Sequence, residues 1–326
     1  MVFVGLTAGA LTAEGVVRSG TIPPARQIIR NHDIREIHGV PVWDRGIDRE
    51  HLECVAQHPQ RQRILFFGNS ITYSTGDDGS DHAFPALLEE RLNAAQPEPG
   101  FCVMNFAVPA FRFAQKFAVA TEAITRFRPT MALYQDWDME WGGVGCPPDG
   151  EYPRDEYIRL GNAVFFTVGL RHRRDGLPGM ADVPDPLNHW LFSHSYLYQY
   201  LTLAKGEPSL PSAPCPDGQS VFRVFSLRRF TALARSVGAK PVFYLAADLT
   251  YPLRDTHPDE LAEEQPILEM GRSDGVPVIR LRELLADQDH NAIRLDGWHY
   301  NPAGHRVLAE RFERIVLEGL AAHTTP

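Results

Sequence analysis

The sequence is poor in lysine and in long apolar runs, and it has an excess of acidic over basic residues. Only three of its 32 basic residues are lysines, and 41 acidic residues bring the net charge to −9. No basic stripe interleaved with aromatic residues is present, so nucleic acid is excluded as a partner. Residues 1–13 are apolar, but they are too short to cross a bilayer and lack the positively charged start of a signal peptide. We therefore expect a cytoplasmic protein that does not bind membranes.

Cysteine is also scarce, with four residues that are widely spaced and form no Cys-x-x-Cys pair. They are Cys54, Cys102, Cys146 and Cys215. This spacing indicates neither a zinc site nor a disulfide framework, and it fits a reducing compartment. No metal and no cofactor is predicted.

Short, nearly continuous apolar runs predict the strands of a parallel sheet that is covered by helices on both faces. The runs occupy residues 63–68, 101–107, 130–135, 241–246 and 276–281. Amphipathic helices are predicted between and after them, for example over 112–127 and 302–319. Right-handed crossovers then give an α/β fold, a flavodoxin-like three-layer α/β/α sandwich with a five-stranded parallel sheet. Its site is expected at the carboxyl ends of the strands.

Two segments depart from this α/β pattern. Residues 1–60 are predicted to be an N-terminal arm, irregular over 14–60 because prolines and charges are scattered through it. Residues 61–326 form the main domain, in which the long excursion 137–217 follows the third strand. Its many aromatic residues could wall a pocket, so we interpret it as a lid or cap. The same residues could instead pack a small core of their own or a subunit interface.

Two motifs supply the residue types of a catalytic triad. The first apolar run leads into Gly-Asn-Ser-Ile-Thr at 68–72, where a strand-to-helix turn would expose the hydroxyl of Ser70. Near the C-terminus, Asp296 precedes His299 by three residues. A serine hydroxyl becomes a good nucleophile when an imidazole takes its proton and a carboxylate orients that imidazole. Taken singly, each residue could be a cap, a turn former or a core histidine; His305 is predicted to be structural.

Together, the two motifs resemble those of the SGNH (GDSL-like) hydrolase superfamily. The first block of that family reads Gly-Asp-Ser-x-Thr and the last reads Asp-x-x-His, so Asn69 replaces the family's aspartate here. The resemblance covers about residues 60–320 and implies a hydrolase with Ser70, His299 and Asp296 as its triad. Many members carry an N-terminal anchor, so attachment to a membrane through a lost N-terminal segment is the alternative to a cytoplasmic location.

The resemblance also implies three donors to a developing oxyanion, and two of them lack their usual residue type. Besides the serine N–H, the family uses a glycine after the second strand and an asparagine after the third. The chain has no glycine between residues 100 and 142 and no asparagine between residues 105 and 162. Ala110 takes the glycine's place, and Gln135 or Trp137 could substitute for the asparagine. Asn69, beside the nucleophile, is a further oxyanion or substrate-binding candidate.

Acidic residues surround these substitute donors. Asp136, Asp138 and Glu140 alternate with them along the chain, and a carboxylate there would repel an oxyanion. Loss of one donor costs about 2.7–4 kcal/mol of transition-state stabilisation. Asp138 is included among the candidate substrate-binding residues because an acidic side chain could bind a cationic or polyhydroxylated group.

The sequence therefore predicts an SGNH-fold serine enzyme that acts on an ester, acyl or otherwise activated small molecule. The altered donors leave two alternatives open. One is a non-hydrolytic transferase or cyclase of the same fold in specialised-metabolite biosynthesis. The other is a catalytically silent partner subunit. A protein partner and a homo-oligomer both remain open.

Overall fold

The structure is a computed structural model that describes most of the chain outside the N-terminus and the long excursion. The described residues are 34–37, 40–43, 49–74, 83–108, 113–137, 218–254 and 258–321, with a few single residues near 12–16 and 183–201. The chain divides into two compact units, Met1–Gly46 with Gly143–Pro214 and Ile47–Gly142 with Cys215–Pro326.

The first unit contains a two-stranded antiparallel hairpin. Strand β1, Ile34–Ile37, pairs with β2, Val40–Trp43, so that Ile34 lies opposite Trp43. The prediction of an irregular arm over 14–60 is therefore wrong for this stretch. It is also wrong for helix α1, Arg49–Gln57, in the second unit.

The second unit is built on a five-stranded parallel sheet with the spatial order β4-β3-β5-β6-β7. This is the flavodoxin-like order, in which the chain reverses direction at the first strand of the sheet. The predicted fold class is confirmed. The strands are β3 Gln62–Phe67, β4 Phe101–Asn105, β5 Met131–Asp136, β6 Lys240–Leu245 and β7 Val278–Arg280.

The remaining elements of this unit are helices. They are α2 Ser70–Tyr73, α3 Phe84–Ala95, α4 Phe113–Phe127, α5 Gly218–Ser236, α6 Pro258–Asp274, α7 Leu281–Leu284, α8 His290–Ile293 and α9 Pro302–Ala321. The predicted helices at 112–127 and 302–319 correspond to α4 and α9. The excursion 137–217 lies outside the described residues for nearly all its length, so its interpretation as a lid and the domain arrangement stay predictions.

Strand β3 shows why these strands are apolar throughout. Its residues Ile64, Leu65, Phe66 and Phe67 are all fully buried. Phe66 packs on Phe84 and Phe312 from helices α3 and α9, whereas Phe67 points to the other face and packs on Phe230 of α5. Because successive side chains of a strand face opposite sides and both sides are covered, no position favours a polar residue.

Two of the four cysteines form a disulfide, which corrects the interpretation of cysteine drawn from the sequence. Cys54 of α1 is bonded to Cys102 of β4, with the two Cα atoms 6.0 Å apart. Bridges of this kind persist mainly in oxidising compartments, so the cysteines no longer support a cytoplasmic location. Cys146 and Cys215 lie outside the described residues. Within the described part of the chain, no helix has the length and apolar character to cross a membrane.

Replacing Cys54 and Cys102 together by serine is expected to lower the free energy of unfolding. The bridge joins residues 48 apart in sequence, and closing a loop of that size stabilises a protein by about 2–4 kcal/mol. Urea unfolding measures the difference. Dithiothreitol should lower the stability of the wild type towards that of the double variant and affect the variant much less. Equal stability of the two proteins without reductant would contradict the bridge.

Candidate active site

The turn after β3 presents Ser70 at the start of α2. Asn69 caps this short helix, since its side-chain Oδ1 accepts a hydrogen bond from the N–H of Ile71 at 3.1 Å. Position 68 has no room for a side chain, because a Cβ on Gly68 would lie 2.3 Å from Oγ1 of Thr72. The Gly-Asn-Ser-Ile-Thr motif is therefore required by local packing as well as by the serine.

The loop before α9 presents the histidine by means of a turn that Asp296 itself organises. Oδ1 of Asp296 accepts hydrogen bonds from the backbone N–H groups of Trp298 and His299, each at 2.8 Å. The N–H of Leu295 then donates to the carbonyl of His299 at 2.8 Å. The spacing of three residues between aspartate and histidine thus builds a closed turn that sets the direction of the imidazole.

The three side chains of the candidate triad form one hydrogen-bonded chain. Nδ1 of His299 lies 2.8 Å from Oδ2 of Asp296, and Nε2 lies 2.9 Å from Oγ of Ser70. Because a carboxylate only accepts, Nδ1 carries the proton, and in the neutral ring Nε2 is the acceptor for the serine hydroxyl. This is the geometry expected of a triad, reached across 229 residues of sequence.

The carboxyl of Asp296 is held in its charged form. Partial burial alone would raise its pKa, but the hydrogen bonds from the His299 ring and from the N–H groups of Trp298 and His299 outweigh burial. The pKa of Asp296 is therefore below its usual value. A charged carboxylate fixes the tautomer of His299 and would stabilise the imidazolium that forms when His299 takes a proton.

Asn301 joins this loop to the C-terminal helix. Its Oδ1 accepts from the N–H groups of Ala303 and Gly304 at 2.9 and 3.0 Å, which caps α9. Its Nδ2 donates to the carbonyls of Ala292 and Arg294 at 2.9 and 3.2 Å. The Asn301 side chain therefore supplies acceptors for the first N–H groups of α9 and also holds the segment that leads to Asp296.

Gly304 and His305, which follow Asn301 at the start of α9, have packing roles. A Cβ on Gly304 would lie 2.3 Å from the carbonyl oxygen of Ile293, so α9 approaches the end of α8 too closely for any other residue. His305 is 1% exposed, accepts from the N–H of Phe84 through Nδ1 at 3.3 Å and stacks on the Phe84 ring. His305 is thus structural, as the sequence predicts.

The loop after β6 supports the triad loop from the other side. The N–H of Leu249 donates to the carbonyl of Gly297 at 2.8 Å, and Arg294 donates to the carbonyl of Leu249 at 2.9 Å. Arg282 in turn holds the β6 loop, donating to the carbonyls of Asp248 and Pro252 at 2.8 and 3.0 Å. Sequence reasoning missed both arginines, and no local pattern marks partners that lie 30 or more residues away.

Gln135 and Asn69 face each other in the interior, which corrects their assignment as oxyanion or substrate-binding residues. Gln135 is fully buried; its Nε2 donates to Oδ1 of Asn69 at 2.8 Å, and its Oε1 accepts from the N–H of Asn69 at 3.2 Å. Asn69 is only 3% exposed. Strand β5 continues to Asp136, one residue beyond its predicted end, so Gln135 is still a strand residue that points beneath the nucleophile turn.

Asp136 points to the opposite face of the sheet, which corrects the expectation that it surrounds the oxyanion donor. It is fully buried and paired with Arg223 of α5, whose Nε donates to Oδ2 at 2.7 Å. Its charge is therefore compensated away from the serine. Ala110 and Asp138 lie outside the described residues, and their assignment stays a prediction.

Trp137, the first residue after β5, lies beside the triad loop. Its ring packs on Trp298 with the centroids 5.1 Å apart and the planes inclined at 53°. Trp298 stands immediately before His299 in the loop, so the pair joins the end of the third strand of the sheet to the histidine. Of the proposed substitute donors in the described part of the chain, Trp137 alone remains near the triad.

Comparison with known proteins finds solved structures that align with this chain at low sequence identity. No protein-family model and no curated protein sequence matches the chain. An acetylxylan esterase from Geobacillus stearothermophilus aligns at 14% identity over 78% of this chain and 93% of that chain, with a TM-score of 0.45. A lipase/acylhydrolase from Enterococcus faecalis aligns at 11% identity over 78% and 95%, with a TM-score of 0.46.

A third similar structure is an alpha/beta hydrolase enzyme from the metagenome of Lake Arreo in Spain, at 14% identity over 77% of this chain and 93% of that chain, with a TM-score of 0.46. Identities and TM-scores this low carry no argument about what the protein does. The fold therefore rests on the strand order of the protein itself, and the candidate site on its own distances.

Replacing Gly304 by alanine is expected to destabilise the protein, because the new methyl group would meet the backbone carbonyl of Ile293. Overpacking of this kind typically costs about 1–3 kcal/mol. Gly319, in the same helix, is the matched control: within 3 Å, a Cβ there meets only the terminal methyl of the unbranched Met131 side chain, and alanine favours the helix. Thermal unfolding should show a lower Tm for Gly304→Ala and an equal or higher Tm for Gly319→Ala. Equal behaviour of the two variants would contradict the close approach.

Proposed function

We propose that this protein is a serine enzyme of the SGNH type that hydrolyses an ester or similarly activated acyl group of a small molecule. Ser70 is the nucleophile and His299 is the general base. Asp296 orients the imidazole and stabilises its protonated form. The observation that carries the proposal is the unbroken hydrogen-bond chain from Ser70 through His299 to Asp296. A lone capping serine or a lone core histidine would not need these partners.

The reaction follows from that chain. Oγ of Ser70 attacks the acyl carbon while its proton passes to Nε2 of His299, and the charge on the imidazolium is stabilised by Asp296. The bond from the acyl carbon to the alcohol then breaks, and His299 returns the proton to the leaving oxygen. Water, deprotonated by the same nitrogen, releases the acid and regenerates Ser70. No cofactor is needed in any step.

Three donors are proposed for the oxyanion. The backbone N–H of Ser70 lies at the start of α2 and has no acceptor among the described residues. The indole N–H of Trp137 is the second donor; it too has no acceptor in the described part of the chain, and its ring packs on the neighbour of His299. The N–H of Ala110 is the third, by its position in the sequence after β4.

Transfer or ring closure remains the second candidate, and one observation favours it. Gln135 is turned into the interior, so the amide donor that the SGNH family places after its third strand has no amide replacement there. Weaker stabilisation of a tetrahedral oxyanion disfavours hydrolysis by free water and suits transfer to an acceptor that is held in place. We therefore expect slow hydrolysis of generic p-nitrophenyl esters by the wild type.

Ser70→Ala and His299→Ala are each expected to lower kcat for an activated ester by at least about 10³-fold, because each removes a proton-transfer partner. Asp296→Asn should retain a small residual activity. Steady-state kinetics and labelling of Ser70 by a fluorophosphonate measure the effect. Ser236→Ala, at the far end of α5 where its hydroxyl bonds only the carbonyl of Leu233, is the control and should match the wild type. Undiminished turnover by Ser70→Ala would refute the triad.

The variant Trp137→Phe distinguishes the role of the indole N–H from the packing role of the aromatic ring. Phenylalanine keeps an aromatic ring against Trp298 but removes the proposed donor, so kcat should fall by about 10²–10³-fold while KM changes little. The matched change on the other ring, Trp298→Phe, should lower kcat far less. If both variants lose activity and thermal stability equally, Trp137 acts through packing and the oxyanion is stabilised by other groups.

A further inference from the structure

A chain of buried polar side chains runs beneath the nucleophile turn, and no step of the reaction above uses it. The hydroxyl of Tyr244, in β6, lies 2.6 Å from Oγ1 of Thr72, which donates to Oε1 of Gln135 at 2.5 Å. Gln135 then exchanges two hydrogen bonds with Asn69. Tyr244, Thr72 and Gln135 are fully buried, and Asn69 is nearly so. Strands β5 and β6 are thus joined to the turn after β3 under the residue that precedes Ser70.

The direction of each hydrogen bond is fixed by chemistry. Oε1 of Gln135 can only accept, so Thr72 donates to it and Tyr244 must donate to Thr72. Nε2 of Gln135 therefore faces Asn69 and needs an oxygen there. Oδ1 of Asn69 provides it and accepts from the N–H of Ile71 as well. One orientation of both amides satisfies every bond.

This arrangement holds Asn69 at its main chain and at its side chain. Its N–H donates to Gln135, its carbonyl accepts from the N–H of Tyr73 at 3.0 Å, and its side chain caps α2. The peptide group between Asn69 and Ser70 cannot rotate without breaking one of these bonds. That peptide group carries the N–H of Ser70, and its orientation sets the direction of the Ser70 side chain.

Gln135 is itself fixed from the other side. Its backbone carbonyl accepts from Nζ of Lys116 at 2.6 Å, and this lysine is fully buried with its charge 4.3 Å from the centroid of the Tyr134 ring. The next residue, Asp136, is paired with Arg223. Because its backbone is held in the central strand, Gln135 can hold Asn69 and the nucleophile turn in a fixed position through its side chain.

We propose that Gln135 is the positioning residue for Ser70, holding Asn69 so that the serine Oγ is aimed at His299 and the serine N–H at the oxyanion. The inference rests on the proposed function, since it assigns Gln135 a role in the chemistry of Ser70. An amide is required because it offers an acceptor to Asn69 and Thr72 and a donor to Asn69 at the same time. Ionised glutamate would offer acceptors alone, and methionine would offer neither.

The test measures the reaction of Ser70 with a fluorophosphonate, which needs no knowledge of the substrate. The bond from Oγ of Ser70 to phosphorus forms, the bond from phosphorus to fluorine breaks, and the serine proton passes to His299 as fluoride leaves. Mass spectrometry of the labelled peptide gives the maximal rate and the half-saturating concentration. Gln135→Met should lower the maximal rate by about 10- to 100-fold through misplacement of Ser70, with an unchanged half-saturating concentration.

Gln135→Glu supplies a readout that a merely structural role would not produce. A neutral glutamic acid can donate its O–H to Oδ1 of Asn69 and accept through its carbonyl, so it replaces the amide. Once it ionises, two acceptors face each other. Burial raises the pKa of a carboxyl group, so the ratio of variant to wild-type rates should be near one at low pH and fall as pH rises. A ratio that is constant with pH would overturn the inference.

The control is Gln265→Glu, the same chemical change at an exposed amide of α6 that donates only to Glu269; its ratio should stay near one at every pH. Failure of the wild type to label at Ser70 would refute the proposed function itself. Labelling of folded Gln135→Met at the wild-type rate would refute only the role of Gln135. If Gln135→Met does not fold, the pH dependence of Gln135→Glu decides between the same two outcomes.

Discussion

The packing of four aromatic rings is the constraint on which the site depends. Phe66 precedes Ser70 by four residues in β3, Phe312 lies in the helix that follows His299, and Phe84 and Tyr244 complete the cluster from α3 and β6. Phe66 lies 5.3 Å from Phe84 and 5.7 Å from Phe312, and Phe84 lies 5.1 Å from Phe312. Each such pair adds about 0.5–1.5 kcal/mol to the effect of burial. The cluster therefore brings the serine strand and the histidine helix together before any polar contact is considered.

The C-terminal motif, residues 296–305, is anchored on this cluster and orients the imidazole of His299. His305 stacks on Phe84, which belongs to the cluster, and Asn301 ties the start of α9 to the preceding loop. Gly304 permits the close approach of α9 to the end of α8. In the ten residues from Asp296 to His305, the side chain of His299 bonds both to Ser70 and to Asp296. Asn301, Gly304 and His305 hold the helix and the loop that carry these two, so the motif specifies a local fold as much as a reaction.

The sequence predicts the sheet and the triad because both are marked by local signals: buried parallel strands are apolar runs, and the turn of Asp296 and His299 spans four residues. Other features depend on contacts between distant residues. Cys54 and Cys102 meet only because α1 packs against the edge strand β4. The sequence offers Gln135 as a substitute for the asparagine that the family places after its third strand. Strand β5 instead continues to Asp136, and the Gln135 side chain is buried. A single sequence does not mark strand ends that closely.

The end of β5 explains how a chain without the family's asparagine can still have a rigid site. Gln135 and Asp136 are neighbours in a strand and so face opposite sides of the sheet. Gln135 bonds to the nucleophile turn, and Asp136 pairs with Arg223 of α5. Breaking a buried ion pair by removing one partner costs about 3–5 kcal/mol, so the strand end is held firmly on both faces. Any donor from this strand must therefore come after Asp136, where Trp137 is the first residue whose side chain reaches the triad loop.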